Sequence, residues 1–252
     1  MIEAVANVFA GIGERGYFVR DIGRATMSPR TYGPEIVAQM RRMGVDSIPL
    51  VAAVAAFIGA VTAVQTRFQL LPGVELSVVG LITRQSIILE LGPLLTGLVL
   101  TGRVGARITA ELGTMRVTEQ IDALETLAYD PVAFLVVPRL IAAILMVPLL
   151  TIFADSIAIV TGMMAASTVG VDNSTFAEGL RLSFAPFQIF YSLLKATLFG
   201  TAIAFFCAFE GFFAESGAEG VGRSTASAVV VTSVAILMLD ALTAIVLARY
   251  LI

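Results

Sequence analysis

Five ionisable side chains interrupt otherwise uncharged stretches of this chain: Arg84, Glu90, Asp155, Lys195 and Asp240. Lys195 is the single lysine. Such residues can tie helices together as ion pairs, carry protons, or act as paired carboxylates. An aspartyl dyad of Asp155 and Asp240 would make an intramembrane enzyme, but no supporting motif surrounds either residue. Glu90 and Asp240 as proton sites would suit an ion-coupled secondary transporter. The absence of two matching halves weighs against that, because many such folds are built from internal repeats. The chain has no histidine and one cysteine, Cys207. That excludes Ser-His and Cys-His catalysis, His-ligated metals and an intrachain disulfide. A net charge of −3 argues against a nucleic-acid partner, which would need a broad basic patch.

The elements that hold these residues must lie in a bilayer. Of 252 residues, 58% are hydrophobic and 14% charged, against about 45–50% and about 25% in soluble domains. A bilayer core needs roughly 20 apolar residues in helix. Uncharged runs predict five transmembrane helices, at about 47–66, 76–102, 140–165, 182–209 and 224–248. Lipid offers the backbone no hydrogen bonds, so each run must be helical. Short alternating apolar strands, the mark of a β-barrel, are missing. The fold class is an all-α integral membrane protein, with an amphipathic interfacial segment at 1–46 before a transmembrane domain at 47–252.

Depth then suggests partners. Glu90 lies 14 residues past Leu76 and Lys195 13 past Leu182, on two helices running the same way. Arg84 lies 8 past Leu76, and Asp240 lies 8 short of Ala248. The expected pairs are Glu90–Lys195 near the midplane and Arg84–Asp240 nearer the outer surface, either as staples or as a working part of a cavity. Asp155 is left without a depth-matched cation and is expected to face water or a second copy.

Loop arginines set orientation. Eleven (Arg15, Arg20, Arg24, Arg30, Arg41, Arg42, Arg103, Arg107, Arg116, Arg139 and Arg223) fall on one side, and Arg67, Arg181 and Arg249 on the other. The N-terminus is therefore expected in the cytoplasm and the C-terminus outside. Residues 1–46 lack the pattern of a signal peptide. Ile2, Val5, Phe9 and Ile12 share one helical face, and Ile36, Val37, Met40 and Met43 another, as suits the headgroup plane. A small cytosolic subdomain is the alternative.

The cytoplasmic loop 103–130 carries two patterns. Gly97, Thr101, Gly105, Thr109 and Gly113 recur every four residues, a stripe that lets helices approach closely. Val117, Ile121, Leu124 and Ala128 form a narrow apolar face beside Glu119, Asp122 and Glu125. Such a helix either docks into a partner's groove or packs on its own membrane domain.

The residues Glu90-Leu91-Gly92-Pro93, Gly102-Arg103-Val104-Gly105, Thr109-Ala110-Glu111-Leu112-Gly113, Met115-Arg116 and Thr118-Glu119-Gln120 resemble the signature of MlaE/YrbE-type permeases, the membrane subunits of MCE-associated ABC lipid transporters. The likeness extends through Asp130-Pro131, Pro138-Arg139, Phe57-Ile58-Gly59, Gln65, Lys195 and Asp240, and so covers the chain from about residue 45. One departure is Leu89, where some members carry arginine directly before the glutamate. The resemblance implies a non-catalytic permease moving phospholipid or a related lipid between inner and outer membrane. It implies that 103–130 is a coupling segment docking on an ATPase through Glu111, Gly113, Met115, Arg116, Glu119 and Gln120, to which Asp122 and Leu124 are added by helical position. It further implies a second permease copy (a homodimer), an ABC ATPase binding ATP and Mg, an MCE-domain protein, a STAS-domain regulator and location in the bacterial inner membrane. No cofactor or metal is expected on this chain, which lacks the Gly-x-x-x-x-Gly-Lys-Ser/Thr loop of an ATPase. Phe57, Ile58, Val61, Gln65 and Leu91 are the candidates for touching lipid in an outward-open pocket between two copies.

Overall fold

The computed structural model describes residues 16–24 and 33–247, which are helical and connecting segments with no strand among them. The expected face of Ile2, Val5, Phe9 and Ile12 lies outside the described residues. Among the described residues, five helices are long and apolar enough to cross a membrane. After a short amphipathic helix α1 (Gly33–Met43) come α2 (Ile48–Gln69), α3 (Ser77–Val117) and the short α4 (Gln120–Thr126). Then follow α5 (Val132–Thr168), the amphipathic α6 (Asn173–Arg181), α7 (Pro186–Phe212) and α8 (Ala218–Leu247). Prolines fall in the first turns of α2 and α7, where their missing N–H forfeits no helical bond.

Helix α7 is the most enclosed of the five, packed against α5, α3 and α8. The first span leans instead on α5. Small residues make this possible. Gly59 of α2 is so close to α5 that a Cβ there would overlap the Ala158 carbonyl, and Gly162 of α5 faces the Gly59 carbonyl in turn. In a bilayer, where apolar surface gains nothing by leaving lipid, such backbone approach is what holds helices together. The stripe along α3 works the same way. Gly97 seats Phe199 and Ile236, Gly105 seats Cys207, and Gly113 meets Ala214 and Val221, while Thr109 donates to the Cys207 carbonyl at 2.9 Å.

Three elements differ from expectation. Helix α3 continues through residue 117, so most of the expected loop 103–130 is a helical extension of the second span. Residues 173–181, expected as connecting chain, form α6, whose Phe176 is fully buried against Ala63, Val79 and Ala166. Helix α1 does not merely float in the interface. Met43 is buried and Ile36 and Met40 pack on the main core, while Val37 alone of its apolar face remains exposed.

Candidate functional site

The intramembrane charges are gathered by a break in α3. Over Ile87–Leu91 the helix widens into a π turn, with the Gly92 N–H reaching the Ile87 carbonyl. Pro93 explains it. Proline has no N–H to give the carbonyl four residues back, and its ring crowds that carbonyl. That residue is Leu89, and its carbonyl accepts instead from the Lys195 ammonium of α7 at 3.2 Å. π turns inside helices recur at functional sites.

Lys195 is fully buried. Its Nζ donates to Glu90 Oε2 at 2.8 Å and pairs with Asp240 Oδ1 of α8 at 2.5 Å. The Tyr191 ring lies 5.1 Å from the same ammonium. One cation thus joins α3, α7 and α8 at a single level. Glu90 keeps nearly half its side chain exposed, whereas Asp240 is almost enclosed. A charge at mid-membrane costs at least about 2.5–3.5 kcal/mol to insert, so it persists only with a partner or a wet cavity.

The expected Glu90–Lys195 pair is present, but the Arg84–Asp240 pair is not. With Arg84 drawn away to α6, Asp240 meets the same ammonium that holds Glu90. Arg84 is buried and turned to the end of α6, donating to the carbonyls of Leu180 at 2.6 Å and Ser183 at 3.3 Å. The Phe184 ring lies 5.3 Å from its guanidinium. Arg84 is therefore a cap that fastens α6 to α3. Asp155 sits apart, with Oδ1 buried and unbonded, in a recess shared with Ser156 and Ser192 and pressed against Gly92. No aspartyl dyad forms, because the Asp240 carboxylate is occupied by Lys195.

The opposite end of α3 carries the other candidates. Glu111 accepts from Arg107 at 2.8 Å and from the buried Arg139 of α5 at 3.3 Å. Two guanidiniums on one carboxylate favour its charged form and bind α3 to α5. Gly113 is buried, and Met115 packs on the core. Beyond Val117 the helix stops, and Glu119 adopts the left-handed conformation (φ 59°) that starts α4 in a new direction. The expected continuous face of Val117, Ile121, Leu124 and Ala128 is broken by this bend. Ile121 is fully buried and Leu124 packs inward on the chain's own core. What remains outermost is mixed: Glu119, Gln120 and Asp122 are exposed, and so are Leu127 and Tyr129. Asp122 accepts from Arg116 at 2.7 Å, and Gln120 donates to the Thr118 hydroxyl at 2.9 Å.

The lipid candidates divide into two groups. Ile58 and Leu91 line one apolar cleft with Val51, Val54, Ile87 and Leu95. Phe57, Val61 and Gln65 point outward from α2, with Phe57 74% and Val61 61% exposed. Reasoning from sequence missed the Asp240–Lys195 contact, the role of Arg84, and the link of Arg139 to Glu111. Pro93 four residues after Leu89 was an available signal for a donor at the Leu89 carbonyl, but it does not point to Asp240.

Five membrane-length helices, three of them tied by a buried ammonium, define a polytopic α-helical membrane protein. The chain belongs to the MlaE permease family, whose model, described as Permease MlaE, matches residues 36–246. It is 41% identical over 222 residues to a probable ABC transporter permease protein of Rickettsia prowazekii, covering 84% of this chain and 82% of that one. It is 32% identical over 240 residues to the intermembrane phospholipid transport system permease protein MlaE of Haemophilus influenzae, covering 94% and 91%. A probable ABC transporter permease protein of Synechocystis is 37% identical over 199 residues, covering 79% and 76%.

Proposed function

We propose that this chain is the membrane-embedded, non-catalytic subunit of an ABC transporter that moves phospholipid between the inner and outer membranes. The observation that carries the mechanism is the reach of α3. Its 41 residues extend about 60 Å at 1.5 Å per residue, about twice the hydrocarbon thickness. One helix thus runs from the Lys195 network to the exposed turn at Glu119. The N-terminus and that turn lie in the cytoplasm and the C-terminus outside, as the arginine distribution requires.

Two copies act with two ATPase subunits, which bind ATP and Mg, and an MCE-domain protein receives or delivers the lipid outside. A STAS-domain chain is a further partner suggested by the family. The ATPase seats on the polar turn of Arg116, Glu119, Gln120 and Asp122. Nucleotide-driven approach of the ATPases displaces α3, and differential affinity for the two permease states supplies the coupling. Displacement of α3 against α7 and α8 works directly on Glu90, Lys195 and Asp240. The cleft of Ile58 and Leu91 is lined on the α3 side by Ile87, Leu91 and Gly92, which flank Glu90, and is the part of the lipid path that this motion reshapes.

The test is reconstitution of the purified permease with its ATPase in vesicles carrying a labelled phospholipid. Nucleotide-dependent lipid transfer is expected. Transfer driven by a proton gradient in the absence of nucleotide would refute this reading in favour of an ion-coupled carrier.

A further inference from the structure

At the α4 end of the bundle, α1 and α3 form a second site, a shallow recess open to solvent and lined by Gln39, Arg42, Met43, Arg103, Arg107 and Glu111, with Val104 and Ile108 at its base. Its charge is unbalanced. Arg42, Arg103, Arg107 and Arg139 face two carboxylates: Glu111, held by Arg107 and Arg139, and Glu35, which accepts from the neutral Gln39 amide at 2.8 Å. Among the described residues, Arg42 and Arg103 have no ion-pair partner, and Arg139 lies within the field of both Glu35 and the like-charged Arg42. Arg103 and Arg107 are one helical turn apart and so share a face. The depth is also defined. Arg42 precedes the start of the first span by six residues, and Arg103 directly follows the uncharged run from Leu91 to Gly102. Both therefore lie at the headgroup level. Beneath them the apolar wall continues, since Met43 and Val104 also line a cleft with Leu100 and Val147.

We propose that this recess binds the phosphate of an anionic glycerophospholipid of the cytoplasmic leaflet. Basic pockets between membrane helices on that side suit anionic headgroups, and guanidiniums match phosphate through paired N–H donors. The ligand bridges α1 to the part of α3 that leads to the ATPase turn, nine residues from Arg107 to Arg116. It is distinct from the lipid being moved, whose cleft is lined by Ile58 and Leu91. The placement at the cytoplasmic leaflet rests on the orientation given under Proposed function.

Native mass spectrometry of the purified permease with phosphatidylglycerol, phosphatidylethanolamine or inorganic phosphate tests it. Phosphatidylglycerol adducts are expected in preference to phosphatidylethanolamine, and R42Q and R103Q should each weaken them about fivefold. R42K/R103K should retain them, and this variant guards against misfolding. Equal binding of the two lipids, adducts unchanged in R42Q/R103Q, or displacement by equimolar inorganic phosphate would overturn the proposal. Labelling of R103C in intact cells by an impermeant maleimide, read against the buried Cys207, would place the recess outside and overturn its assignment to the inner leaflet. Since the adduct assay needs neither ATPase nor transport, absence of nucleotide-driven transfer would count against the proposed function alone.

Discussion

At the scale of the residue, Lys195 decides the most. It satisfies two carboxylates and the carbonyl that Pro93 leaves free. Removing one partner of a buried pair costs about 3–5 kcal/mol, whereas neutralising the whole set is often tolerated. Lys195→Met should therefore lower the thermal stability of the detergent-purified protein strongly. The triple variant E90Q/K195M/D240N should recover most of that stability without recovering lipid transfer. Melting and transfer measured on the same preparations separate the two roles, and wild-type transfer by the triple variant would reduce the network to a structural staple. Glu119 offers a contrast. Its left-handed backbone costs a residue with a Cβ roughly 1–2 kcal/mol, so Glu119→Gly should raise stability slightly even if it harms ATPase binding.

At the scale of the element, how much was legible depended on whether the signal was local. Uncharged runs are local, and they marked the five spans. The bounds of α3 and the identity of α6 were not legible, because amphipathic helix outside the bilayer looks like loop when only charge is counted. The pairing of Asp240 with Lys195 was not legible, because the cation expected for Asp240, Arg84, is turned to the carbonyls at the end of α6. Glycines divide by the same logic. Gly59 faces the Ala158 backbone, while Gly102 has open space around it. Gly59→Val must separate α2 from α5 and should cost about 1–3 kcal/mol as overpacking. Gly102→Ala should be neutral or stabilising by up to about 1 kcal/mol. Melting of both variants in the same detergent checks the pair, and equal losses would mean that the α2–α5 contact is not set by Gly59.

At the scale of the whole molecule, the arrangement places its two kinds of charge far apart along one helix, Glu90 in the first half of α3 and the turn at Glu119 just past its last residue. The Lys195 network lies within the bundle, and the polar turn of Arg116, Glu119, Gln120 and Asp122 lies beyond it. Packed helices transmit displacement because close-packed interiors shift between discrete arrangements instead of deforming gradually. If α3 is the transmitting element, damage at either site should be separable. Glu119→Arg, at an exposed position, should weaken co-elution with the ATPase on the order of tenfold by placing a wrong-sign charge in the contact, with bound lipid unchanged. E90Q/K195M/D240N should keep the ATPase and lose only the stimulation of its hydrolysis by lipid. Size-exclusion co-elution and phosphate release, measured with and without phospholipid, read both sites at once. Loss of ATPase binding in the triple variant would mean that the intramembrane network shapes the docking turn itself. The transmitting role of α3 would then give way to a purely structural one.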